Sequence, residues 1–205
     1  MRSLLFSVVL LALAACADTP DEAPAAPAGP SILAPSGPER AVADIAEVDG
    51  SGVTGRVEFT SLGDSIEIRY NLSGLSAGKH GIHVHQVGDC GPDSTGTPAG
   101  AAGDHLNPLS SPHSAPDSSA AKRHAGDLGN IVAEGGQAVG VLVDSVLAFT
   151  GPTSVLGKAV IVHAGEDDLT TQPAGDSGAR VGCGVIRDPT DAPPAGGSPA
   201  DSVSL

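Results

Sequence analysis

Turn formers punctuate this sequence too densely for long helices. The chain holds 28 glycines and 17 prolines among 205 residues, and a helix interior tolerates neither. What lies between them are short runs rich in Val and Ile, bounded by Gly and Asp clusters, the signature of strands and turns. Eight such runs are expected to be strands: Ala41–Val48, Val53–Phe59, Ser65–Leu72, His80–Gln86, Ile131–Ala133, Ala138–Val143, Lys158–Ala164 and Val181–Ile186. The third alternates cleanly, with Ile66 and Ile68 on one face and Glu67 and Arg69 on the other. No amphipathic helical stretch interrupts them. The expected fold is all-β, an eight-stranded Greek-key barrel or sandwich. One interval breaks the rhythm. From Gly88 to Gly129 no convincing strand occurs, and a loop of that length in a compact domain is normally functional.

The two ends read differently from this middle. Arg2 precedes an apolar run, Leu4 to Ala15, too short to span a bilayer and typical of a signal peptide. The run closes on Leu13-Ala14-Ala15-Cys16, which resembles the bacterial lipobox. Residues 1–15 are therefore expected to be a lipoprotein signal peptide, with Cys16 lipidated. Residues 16–38, with six Pro and six Ala between 17 and 38, would form a tether. Residues 188–205, with four Pro, would form a disordered tail. The folded domain would occupy 39–187, long enough for one packed core. The expected location is the bacterial cell envelope or periplasm, anchored to a membrane through Cys16, where disulfides persist.

Charge narrows the choice of partners. With 10 basic against 24 acidic residues the formal net charge is −14. Nucleic-acid binding is excluded, because phosphate contacts need clustered Lys and Arg, and charge alone would not hold the chain to an anionic membrane.

All seven histidines lie between positions 80 and 163. In Gly81-Ile82-His83-Val84-His85 the two-residue spacing puts both imidazoles on one strand face. That suits two ligands of one metal, or equally an exposed polar face. The long loop adds His105, His113, His124 and Asp127, a donor set that zinc accepts in tetrahedral geometry. A bound metal would also order a Pro/Ser-rich loop that otherwise reads as solvated. His163 ends the apolar run Ala159–Val162 and by itself reads as a satisfied histidine. Cys90 and Cys183 are the remaining thiols, an even pair that in an exported chain is expected to bridge the long loop to the last strand.

Taken together these segments resemble the copper–zinc superoxide dismutases in their bacterial lipoprotein form, over about residues 41–187. The resemblance rests on Gly81–His85, on Gly103-Asp104-His105-Leu106-Asn107-Pro108, on His113, on His124-Ala125-Gly126-Asp127-Leu128-Gly129-Asn130, on Val162-His163, and on Gly178 through Ile186. It implies that His83, His85, His105 and His163 bind copper, and that His105, His113, His124 and Asp127 bind zinc, one of each metal per subunit, with His105 shared. It implies that Asp167 links the two sites by hydrogen bonds, that Arg180 stands beside the copper, and that Cys90 and Cys183 are the family disulfide. The implied activity is conversion of superoxide to dioxygen and hydrogen peroxide at redox-cycling copper next to structural zinc. His105 and Arg180 would be the catalytic residues. A homodimer is compatible with the sequence. The alternative is a non-catalytic copper/zinc-binding or copper-delivery lipoprotein on the same barrel. His80 is left over and is expected to be structural.

Two departures matter. Asp104 stands where the family more often has Gly or Pro. The segment Ala164–Ala179 contains no Lys or Arg, so Arg180 would carry more of the attraction for an anion than usual, with Lys122 and Arg123 as candidate helpers.

Overall fold

The computed structural model describes residues 39–191. The segments expected to be signal peptide and tether, Cys16 among them, and the expected tail beyond residue 191 lie outside the described residues.

Eight strands are present: β1 (Arg40–Glu47), β2 (Thr54–Ser61), β3 (Ile66–Ser73), β4 (Gly78–His85), β5 (Asp127–Ala133), β6 (Gln137–Asp144), β7 (Ala159–His163) and β8 (Arg180–Val185). Seven begin and end within two residues of the expected runs. The exception is β5, which starts at Asp127 rather than Ile131. Its first four residues, Asp-Leu-Gly-Asn, carry no apolar alternation. Pairing with β4 makes them a strand, so the long loop ends before Asp127.

All neighbouring strands run antiparallel, in the order β5-β4-β7-β8-β1-β2-β3-β6. The β3–β4 and β6–β7 connections pass between non-adjacent strands, which gives the Greek key. Two four-stranded halves meet where β1 pairs with β8 through Ala46↔Cys183 and Glu47↔Gly182. At the other seam, β5 turns into β6 through Gly135 and Gly136, at φ 58° and 85°. A two-residue hairpin turn with both φ positive matches the strand twist, and only glycine adopts it cheaply.

Strand alternation sorts β4 and β7 onto two layers. Ile82, Val84, Val160 and Val162 point into the barrel and join Val57, Phe59, Ile68 and Leu72, all fully buried. Each large apolar side chain removed from water contributes roughly 1.5–3 kcal/mol. The intervening residues face outward: His83 and His85 on β4, Ala159 and Ile161 on β7. They are buried nonetheless, because the connection from Gln86 to Gly126 folds over them. Beneath it, Ala159, Ile161 and Cys183 pack with Val48, Ala99 and Ala102 in a small outer cluster.

The connection is almost without regular structure; one 3-10 turn, Gly100–Ala102, is its only element. Other devices hold it. A Cys90–Cys183 disulfide ties it to β8. A ring of backbone hydrogen bonds ties it to β4: Val84 N to Gly126 O (2.9 Å), Gly126 N to Leu106 O (2.9 Å) and Leu106 N to Val84 O (2.8 Å). Position 126 must be glycine, because a Cβ there would fall onto the Val84 carbonyl oxygen.

Candidate metal centre

Two buried sets of side chains converge on the outer face of β4, and each offers four donor atoms lying within 4.8 Å of one another. The first is His83, His85, His105 and His163. The second is His105, His113, His124 and Asp127, so His105 belongs to both.

Ladder irregularities place these residues. The β4–β5 register shifts between Gly81 and His83, which sets His83 opposite Asp127. The β7–β8 register shifts between Val162 and His163, which sets His163 opposite Arg180. Bulges of this kind re-aim side chains and gather at functional sites. An isolated bridge between His85 and His105 brings the loop histidine alongside β4.

In the first set one ring nitrogen of each strand histidine is anchored to an oxygen. His83 Nε2 donates to Asp167 Oδ2 (2.8 Å), His85 Nδ1 to the Gly103 carbonyl (2.8 Å) and His163 Nδ1 to the Gly178 carbonyl (3.1 Å). Donation fixes the tautomer and leaves the opposite nitrogen a bare lone pair. Those opposite atoms, His83 Nδ1, His85 Nε2 and His163 Nε2, together with His105 Nε2, are buried and have no hydrogen-bond partner. Buried polar atoms are almost always satisfied. Four unsatisfied nitrogens facing one point fit a metal ion with a preference for imidazole.

The second set is tighter. His105 Nδ1, His113 Nδ1 and His124 Nδ1 lie 2.7, 3.0 and 3.1 Å from the same oxygen, Asp127 Oδ1. Tetrahedral zinc with ligand bonds of about 2.0 Å spaces its ligands roughly 3.3 Å apart, so these atoms need to open by only a few tenths of an ångström. The other carboxylate oxygen, Oδ2, is held by the backbone N–H of His124 (2.9 Å) and of Ser114 (3.1 Å).

Asp167 joins the sets. Its Oδ2 accepts from His83 and its Oδ1 from His113 Nε2 (2.9 Å), and its backbone is pinned by both ends of the Asn130 amide. A Cβ at residue 175 would collide with this carboxylate, so Gly175 is required.

Three supports were not legible in the sequence. Gln172 clamps His113 from the far loop, accepting its N–H and donating to its carbonyl, each at 2.8 Å. The pairing joins residues 59 apart, and no local pattern signals it. Asn130 pins the Asp167 backbone, and nothing in its sequence neighbours marks that role. Arg123 corrects an expectation: it does not face the mouth of the site. It is 1% exposed, its Nη2 pairs with Asp144, and its Nη1 donates to the carbonyls of His124, Ala125 and Asp127 (3.1, 3.2 and 3.1 Å). Lys122 is exposed and does not line the mouth. His80 is structural, as expected, with Nδ1 on the His163 carbonyl at 2.9 Å.

A cavity of about 320 Å³ opens over the first set, lined by His85, His105 and His163 among others, with Arg180 on its wall. Arg180 is half-buried, and its two terminal nitrogens donate to the carbonyls of Ala99 (2.6 Å) and Gly103 (2.7 Å). Gly103 O therefore orients both His85 and Arg180.

Burial dominates the protonation of the metal-free site. It lowers His85 well below the ordinary imidazole value, His105 to about 4 and His163 to about 3, with neighbouring imidazoles adding to the effect in each case. It lowers His83 too, against the pull of Asp167. His113 goes the other way. Burial opposes its charge, but Asp127 and Asp167 together raise it to about 9. Asp127 and Asp167 are held below the usual carboxylate range, because hydrogen bonds from their histidines outweigh desolvation.

An antiparallel barrel carrying two adjoining buried donor sets, one all-imidazole and one imidazole–carboxylate, with His105 in both, has the donor chemistry to hold two neighbouring metal ions. The family model for copper/zinc superoxide dismutase (SODC) matches residues 53–186. The chain belongs to that family, whose members bind copper and zinc. The crystal structure of the clock protein EA4 is similar to it, with 33% sequence identity and a TM-score of 0.65 over 75% of this chain and 96% of that one.

Proposed function

We propose that this chain is a superoxide dismutase, with one copper held by His83, His85, His105 and His163 and one zinc held by His105, His113, His124 and Asp127. The observation that carries the reading is the four orphaned imidazole nitrogens facing one point beneath Arg180. Copper supplies one-electron cycling between two oxidation states, so that two superoxide ions and two protons give one dioxygen and one hydrogen peroxide.

The protein's own groups have separate tasks. Arg180, fixed by two carbonyls, offers its remaining N–H bonds and its charge to an anion in the cavity. His105 keeps Nδ1 in the Asp127 set, leaving Nε2 to take up a proton and deliver it to the reduced product. Asp167 holds His83 and His113 in fixed tautomers.

Superoxide decay measured on copper- and zinc-loaded protein tests the proposal. Catalysis with one copper and one zinc per chain is expected. Full metal loading without accelerated decay would favour the second reading, a non-catalytic copper/zinc-binding or copper-delivery protein. Similarity to EA4, described as a clock protein, keeps that reading in view. We further propose that the chain is exported and anchored to a membrane of the cell envelope through lipidated Cys16; Cys16→Ser should release it from the membrane fraction on cell fractionation.

A further inference from the structure

Apart from the histidines, the wall of the cavity carries two formally charged side chains, Arg180 and Asp104. Asp104 is exposed and adjoins Gly103, whose carbonyl accepts from both Arg180 and His85. Its carboxylate acts on Arg180 through charge rather than through a hydrogen bond. Asp93 adds a second negative field on Arg180, but it does not line the cavity and is occupied by Thr95 and Thr97. Lys158 sits behind the rim, donating to the Gln86 carbonyl (2.9 Å), and is not on the wall. An anion entering the cavity therefore meets a positive and a negative group together, where Arg180 alone would present a net charge.

We infer that Asp104 is a specificity-determining residue that restrains the pull of Arg180 on anions and discriminates against multiply charged ones. The inference rests on the copper-site reading for its probe but not on turnover. The physical reason is that the repulsion from one fixed charge scales with the charge of the visitor. For a monoanion several ångströms away in a largely aqueous mouth, removing one elementary charge changes binding on the order of threefold at low ionic strength. A dianion feels twice the free energy, so its binding should change on the order of tenfold. Both effects shrink as salt shortens the screening length from about 30 Å at 0.01 M to about 8 Å at 0.15 M.

The experiment uses the copper- and zinc-loaded full chain and compares wild type, Asp104→Asn and Asp104→Ser, each normalised to metal content. Azide, a monoanion, is titrated by the copper absorption band. Inorganic phosphate is measured by its competition with azide at a pH where the dianion prevails. Glu58→Gln, which removes a charge from the outer face of β2, serves as the control for net charge. The expected result is tighter azide binding in both Asp104 variants, on the order of threefold at 0.01 M ionic strength, with a larger gain for phosphate and neither gain in Glu58→Gln. The second-order rate with superoxide should rise in parallel. Equal azide and phosphate affinities in wild type and both variants would overturn the inference, as would an equal gain in Glu58→Gln. If the azide effect appears while no variant disproportionates superoxide, the role of Asp104 stands and the dismutase proposal falls.

Discussion

Replacing Arg123 by methionine keeps most of the side-chain volume and removes the charge on which the zinc-side turn is threaded. The guanidinium pairs with Asp144 at the end of β6 and donates to three carbonyls of the His124–Asp127 turn and to Ser118. Removing one partner of a buried ion pair typically costs about 3–5 kcal/mol, chiefly because the other charge stays buried. Here Asp144 retains two backbone donors, Val146 N at 2.8 Å and Leu147 N at 2.7 Å. Those bonds soften its loss and place the expectation near 3 kcal/mol, while the freed carbonyls keep it from falling much lower. Urea unfolding of the metal-free, disulfide-intact protein measures this directly. Zinc affinity should drop by about 10- to 100-fold, as when a group that orients ligands is lost, and copper affinity should drop less, since none of its four proposed ligands lies on that turn and only His105 is shared with the zinc set. The double variant Arg123→Met/Asp144→Leu should recover part of the stability, because it leaves no orphaned charge. A cost below about 1 kcal/mol for Arg123→Met, or a double variant no better than the single one, would refute the argument.

Other perturbations test neighbouring parts of the same design. Asp167→Asn should weaken zinc binding by about 10- to 100-fold and alter the copper spectrum as well, because one carboxylate orients His83 and His113; metal titration with both ions checks it. Reducing Cys90–Cys183, which are 93 residues apart, should cost on the order of 4–5 kcal/mol by loop entropy, read as a lowered unfolding midpoint. Metal-free protein should be most stable near pH 6.5. His105 at about 4 and His163 at about 3 make the unfolded chain bind more protons on the acid side, so stability falls as pH drops through that window; His113 at about 9 makes the folded chain bind more on the alkaline side, so stability falls again as pH rises from 6.5 to 9. Arg180→Glu should slow superoxide decay most at low ionic strength, and equal rates across a salt series would remove Arg180 from the substrate's path.

How much was legible depended on whether a residue's role is written in its neighbours. The strands were, because Ile66, Ile68 and their polar alternates follow the period of a half-buried sheet. The start of β5 was not, since Asp-Leu-Gly-Asn reads as a turn until β4 pairs with it. The candidate ligands stood out in two ways. Gly-Ile-His-Val-His forces a shared face by spacing alone, whereas grouping His105, His113, His124 and Asp127 on one point needed either a resemblance or a structure. Arg123 stands beside Lys122 as a cation that could help attract an anion, and only the fold brings Asp144, 21 residues away, under its guanidinium and turns it inward. Gln172 gave no signal, as an amide in a turn-rich stretch reads as a solvated side chain.

The position of the site explains why these supports exist. Alternation on β4 puts Ile82 and Val84 in the barrel core and obliges His83 and His85 to point outward. Burying them calls for a second layer, and the chain provides one from a loop whose buried apolar side chains are few and small, among them Ala99, Ala102, Leu106 and Ala125. Such a layer gains too little from apolar burial to order itself. It is instead fixed at discrete points: the disulfide, the backbone ring around Val84, the Arg123 guanidinium and the Gln172 clamp. All of these but the disulfide secure a donor residue or its immediate neighbour, so metal binding and loop order would draw on the same contacts. On the proposed assignment, every metal ligand supplied by the loop would raise the stability of the layer that buries the strand histidines, and the two donor sets would reinforce each other through the fold as well as through the shared His105.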